Sequence, residues 1–144
     1  MNMHISGTWF WANLLHPVLL FLYIGNSSDQ TLFDLIGGYF SILLFSLIFS
    51  YPALWISFLW VNLISLFSFP AIGKYIFWMF SAPLMIMLNI WLISLLLTGC
   101  ISSLEINFAL PAMIAAEIII LIRYNQFINF INQLKKTRHE NNLV

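Results

Sequence analysis

The sequence predicts an all-α fold, a polytopic bundle of about five transmembrane helices followed by a C-terminal amphipathic helix. Two observations carry that reading. Only five Lys or Arg and five Asp or Glu occur in 144 residues, 7% of the chain, where a water-soluble domain carries roughly 25%. No charged residue lies between Leu35 and Gly73, or between Tyr75 and Leu104, and an uncharged apolar run of about 18 residues marks a membrane-spanning helix. Fourteen Phe and six Trp suit lipid contact and the interfacial belts where Trp and Tyr settle.

Punctuation divides the apolar mass into spans at about 8–24, 32–49, 52–69, 71–97 and 106–122. The first closes at Gly25, before the polar loop Asn26-Ser27-Ser28-Asp29-Gln30. No Lys or Arg precedes it, so it lacks the basic start of a secretory signal and reads as a retained span. His16-Pro17 in its middle makes it the weakest of the five; if it lay in the interface, the count would be four. The second span reaches Ser50-Tyr51-Pro52. Proline is tolerated at the start of a helix but not inside one, so Pro52 is read as opening the third span. One helix over 32–69 would be about 57 Å long, nearly twice the hydrocarbon core of about 30 Å, so a tight helical hairpin is expected there. The fourth span is long enough to need tilt, and residues 99–103 form the next loop.

Residues 124–144 form a second region. Tyr124, Phe127, Ile128, Ile131 and Leu134 recur at helical spacing, while Asn125, Asn129, Asn132 and Lys136 take another face. Such a helix lies along a membrane surface or against a partner, and a short basic tail follows it. Four of the five basic residues lie from Arg123 onward, and the fifth, Lys74, is two crossings away. Both groups therefore fall on one side, cytoplasmic by the positive-inside rule, and five spans put the N-terminus outside. A bacterial inner (plasma) membrane is the expected location. Lys74, Arg123, Lys135 and Lys136 read as interface anchors.

The candidate binding or transport residues are the polar groups that the bilayer penalises. Glu117 leads, mid-span in Ala115-Ala116-Glu117-Ile118: it can bind a cation, relay a proton or pair with another subunit, or simply tie two helices together. Asn89 follows, in a helix that Pro83 is expected to kink. Asp34 sits in the first turn of a helix, where the macrodipole favours an acid. His16 is a haem ligand or, more simply, a hydrogen-bonded structural group. Gly37, Ser41, Asn62, Ala112 and Ala116 are read as helix-contact positions, where small side chains admit close approach and an amide adds a hydrogen bond.

No cofactor or metal is expected. One cysteine, Cys100, excludes an intramolecular disulfide and a cysteine-based metal cage. Met79, Met85 and Met87 do not share a helix face, which argues against a copper site. Leu97-Thr98-Gly99-Cys100 mimics a lipobox, but cleavage there would discard most of the chain. The Asn26-Ser27-Ser28 sequon falls on the cytoplasmic side of this topology, where it is silent. A formal net charge of zero gives no basis for nucleic-acid binding. No catalytic motif occurs, so no enzyme activity is expected. The leading expectation is a non-catalytic protein acting by helix contact with another integral membrane protein, either as an accessory subunit or as an immunity- or exclusion-type binder. Its partners are then the lipid bilayer and that protein, or identical subunits. The alternative is a homo-oligomeric pore or small-solute carrier, holin-like forms included, using Glu117 and Asn89. A membrane enzyme or haem protein using His16 comes last.

Overall fold

A computed structural model describes residues 3–24, 31–99 and 104–141. Six helices account for almost all of them: α1 (Met3–Ile24), α2 (Leu32–Phe49), α3 (Tyr51–Leu66), α4 (Ala71–Thr98), α5 (Leu104–Ile122) and α6 (Tyr124–Asn141). The expected loops at 26–30 and 100–103, Cys100, the sequon and the last three residues lie outside the described residues.

Local chemistry explains the helix ends. Thr31 caps α2: its Oγ1 accepts the Asp34 N–H at 3.3 Å, and the Asp34 carboxylate accepts the Thr31 N–H at 3.0 Å. This reciprocal pair satisfies two donors that a helix start leaves orphaned. α4 ends at Gly99, whose φ of 71° is the left-handed conformation that glycine adopts without penalty, with its N–H on the Leu95 carbonyl. α1 begins at Met3, five residues before the expected start, and runs through Pro17 for 22 residues. It is therefore long enough to cross a bilayer.

Side-chain pairings fix the directions of the helices. Gly7 of α1 meets Arg123 after α5, and Tyr23 at the far end of α1 donates to Asn107 near the start of α5, so these two run antiparallel. Tyr75 early in α4 donates to the Ile120 carbonyl late in α5, so α4 is parallel to α1. Trp9 and His16 of α1 pair with Ser50 and Ser46, which makes α2 antiparallel to α1. Trp60 with Ser81, and Ser65 with Lys74, make α3 antiparallel to α4. It follows that α2 and α3 run in the same direction.

The expected hairpin at Ser50-Tyr51-Pro52 is therefore not formed. Ser50 is the single residue between α2 and α3, and its φ of −86° and ψ of −4° lie in the right-handed region. Its N–H bonds to the Ser46 carbonyl and its own carbonyl accepts the Leu54 N–H. A helical turn continues through the junction, and one helical residue cannot reverse a chain. Pro52 interrupts the hydrogen-bond ladder, so α3 continues onward from α2 across a discontinuity rather than bending back.

Three helices, α1, α2 and α4, are long and apolar enough to cross a membrane by themselves. α5 and α6 together give a fourth candidate, bent by 68° at Arg123; α3, with 16 residues, is shorter. The packed core lies at the end of the bundle that holds Lys74 and Arg123. Ile5, Val61, Ile64, Tyr75, Trp78, Ile120, Phe127 and Ile131 form one buried cluster there. Phe127 and Ile131 are the inward face of α6, as the helical spacing indicates, and Tyr124 and Ile128 pack beside them. His4 stands edge-on to Phe127 and stacked on Phe130, so the start of α1 is seated on α6.

Candidate functional site

Beside this packed cluster, and sharing Ile5, Trp78, Ala82 and Ile120 with it, residues of α1 to α5 line a cavity of about 710 Å³. α1 packs most extensively on α5, and α4 on α5 and α3, but α2 and α4 do not pack on one another along their length. A hydrogen bond from Asn89 Nδ2 to the Phe49 carbonyl, 3.1 Å, joins them. That carbonyl is one of the orphan acceptors at the end of α2.

One wall of the cavity carries a polar track. Trp9, Asn13 and His16 fall on a single face of α1 at spacings of four and three. The Trp9 indole donates to Ser50 Oγ at 2.9 Å and to its carbonyl at 3.2 Å. Asn13 Nδ2 donates to the Trp9 carbonyl at 2.9 Å, which fixes the amide orientation. Its Oδ1 then accepts two hydroxyls, Ser46 at 2.6 Å and Ser50 at 3.0 Å. His16 Nδ1 lies 3.0 Å from Ser46 Oγ. The Phe108 backbone also lies within hydrogen-bonding reach of the His16 ring. Three atoms on the wall residues are buried without a hydrogen-bond partner among the described residues, His16 Nε2, Asn89 Oδ1 and Trp78 Nε1. The Asn89 oxygen is an acceptor and the Trp78 indole N–H a donor.

The other residues singled out in the sequence are distributed as follows. Ser41, Ala112 and Ala116 join His16 and Asn89 in lining the cavity, whereas Glu117 does not. Glu117 is half-buried on α5, within electrostatic range of Tyr75. Asp34 is an exposed cap residue. Gly37 is exposed, with nothing within 4 Å of where a Cβ would stand, while its neighbour Gly38 is the one closed over, by Phe21. Asn62 is exposed among Leu59, Leu63 and Leu66, and its side chain makes no hydrogen bond to a described residue. Lys74 Nζ donates to the Ser65 carbonyl at 2.8 Å. The Arg123 guanidinium lies flat over Gly7, 2.7 Å from where an alanine Cβ would stand. Lys135 and Lys136 are exposed.

Asn13 and Ser50 were not singled out as site residues. The four-and-three spacing of Trp9, Asn13 and His16 was the signal available for Asn13. Among the described residues no group of three or more His, Cys, Asp or Glu converges to hold a metal ion. Comparison with known protein families, with curated proteins and with solved structures gives no match.

Proposed function

We propose that this chain is an integral membrane protein without catalytic activity that acts by helix contact with another membrane protein, as an accessory subunit or an immunity- or exclusion-type binder. The observation that carries the reading is the exposed amide of Asn62, set among exposed leucines on α3. Water covers such a group cheaply and lipid does not, so a helix offering a hydrogen bond is its natural cover. Gly37 adds support, since α2 has no buried residue and a glycine open on all sides admits close approach by a second helix.

The proposed arrangement has four crossings, α1, the α2–α3 rod, α4 and α5, with α6 lying along the interface. In place of five spans with the N-terminus outside, it puts the start of α1 on the same cytoplasmic side as Lys74, Arg123 and the tail. The seating of His4 on Phe127 and Phe130 supports this, and so does the positive-inside rule. The membrane we infer is a bacterial plasma membrane.

The test is purification of the tagged chain from its native membrane in mild detergent. A stoichiometric companion protein should elute with it, and Asn62→Leu should release that companion without unfolding the chain. Elution solely as a dispersed monomer overturns the reading. The alternative, a homo-oligomeric pore or carrier using Glu117 and Asn89, has less support because only Asn89 stands on the cavity wall. Liposome flux that Glu117→Gln abolishes would reverse that order.

A further inference from the structure

We infer that the cavity is a binding site for an uncharged, chain-like lipid bearing a free hydroxyl, which enters from the bilayer between α2 and α4. This inference goes beyond partner docking and does not depend on it.

The chemistry of the wall selects the ligand. No Asp, Glu, Lys or Arg lines the cavity, so a charged headgroup would lose its hydration with nothing to replace it. The volume of about 710 Å³ falls within the range of about 300–1,000 Å³ typical of small-molecule sites. On α4 the lining extends from Trp78 to Ser94, about 24 Å of helix at the standard rise, which is the shape of an extended hydrocarbon chain. The polar demand runs in both senses. Asn89 and Trp78 are 6% and 4% exposed, both line the cavity, and each keeps a buried polar atom unpaired, the acceptor Oδ1 and the donor Nε1. Asn89 cannot turn to exchange its acceptor for a donor, because its Nδ2 is held by the Phe49 carbonyl. A buried polar group left unpaired costs about 1–3 kcal/mol. A ligand hydroxyl both donates and accepts, so it answers either atom, whereas an ester or ether oxygen only accepts and leaves Asn89 unanswered.

The test uses the purified full-length chain in detergent, with dibrominated stearyl alcohol and its methyl ether as probes. Bromine quenches tryptophan on contact, and Trp9 and Trp78 line the cavity. The alcohol should quench saturably and bind roughly tenfold more tightly than the ether, the worth of one hydrogen bond at the upper end of its range. Equal, unsaturable quenching by the two probes, which reports partition into the micelle alone, overturns the inference, and that comparison needs no variant. Ala112→Phe, which fills the cavity, should abolish saturation while helicity by circular dichroism is retained. Saturable binding of the alcohol that survives this filling also overturns it.

Discussion

Asn13 is the residue on which the α1–α2 contact turns. Its Oδ1 takes the hydroxyls of Ser46 and Ser50 while its Nδ2 is tied to the Trp9 carbonyl, so one side chain coordinates two turns of α2. Replacing it with leucine strands two serine hydroxyls. Interhelical hydrogen bonds within membranes average only about 0.6 kcal/mol and reach about 1.7 kcal/mol. Asn13→Leu should therefore lower the unfolding free energy in a denaturing-detergent titration by about 1–2 kcal/mol. Ser46→Ala added to it should cost less than it does alone, because one of the two bonds it would remove is already gone while the one to His16 remains. Two fully additive losses would show that the two groups act separately. Gly7 has a different role: the Arg123 guanidinium lies where a side chain would stand, so glycine admits a cation to the backbone of α1 at the end of the bundle. His16 and Asn89 could be singled out because an ionisable or amide group stands out in any apolar run. Their partners were not legible. Ser50 and Asn13 are 37 positions apart, and a pairing across that distance leaves no trace in local spacing.

At the scale of the helices, the boundaries of α2 to α5 could be read from the chain to within about three residues, because Pro52, Pro70 and Gly99 each act on their own neighbourhood, whereas α1 begins five residues before its expected start. The direction of α3 could not. Ser50-Tyr51-Pro52 is compatible with a reversal or a continuation, and the length argument favoured reversal by assuming that the whole rod must lie in hydrocarbon. α3 instead ends beside the start of α4, where Lys74 reaches the Ser65 carbonyl, so in the proposed topology the chain leaves the hydrocarbon near Ser65, beyond Asn62. Distance measurement between spin labels at Phe40 and Leu59 separates the two arrangements. A continuing rod gives a separation approaching 28 Å, from nineteen residues at the helical rise. A hairpin brings the labels to the interaxial spacing of packed helices, about 8–10 Å. The surface helix can be tested at Phe127, which is 1% exposed between His4 and Tyr75. Phe127→Ala should destabilise the fold by about 3–5 kcal/mol, whereas substitution of the exposed Asn125 on the same helix should leave stability within about 0.5 kcal/mol.

For the molecule as a whole, packing is uneven. Ten buried residues drawn from α1, α3, α4, α5 and α6 form one cluster, and four of them, Ile5, Trp78, Ala82 and Ile120, also line the cavity. α2 leans on α1 without a buried residue of its own. The four crossings proposed above carry a statement about sidedness. α1 and α4 run one way, and α2–α3 and α5 the other, so under that proposal the chain returns to the side on which it began. With the basic residues cytoplasmic, reporters fused ahead of Met1 and after Val144 should both behave as cytoplasmic: green fluorescence at either end, and alkaline phosphatase activity at neither. A phosphatase-active N-terminal fusion with a fluorescent C-terminal one would restore an odd count of crossings. That result would require α2 and α3 to turn back on one another in the membrane, against the helical backbone of Ser50 and the two hydrogen bonds that carry the helix through it.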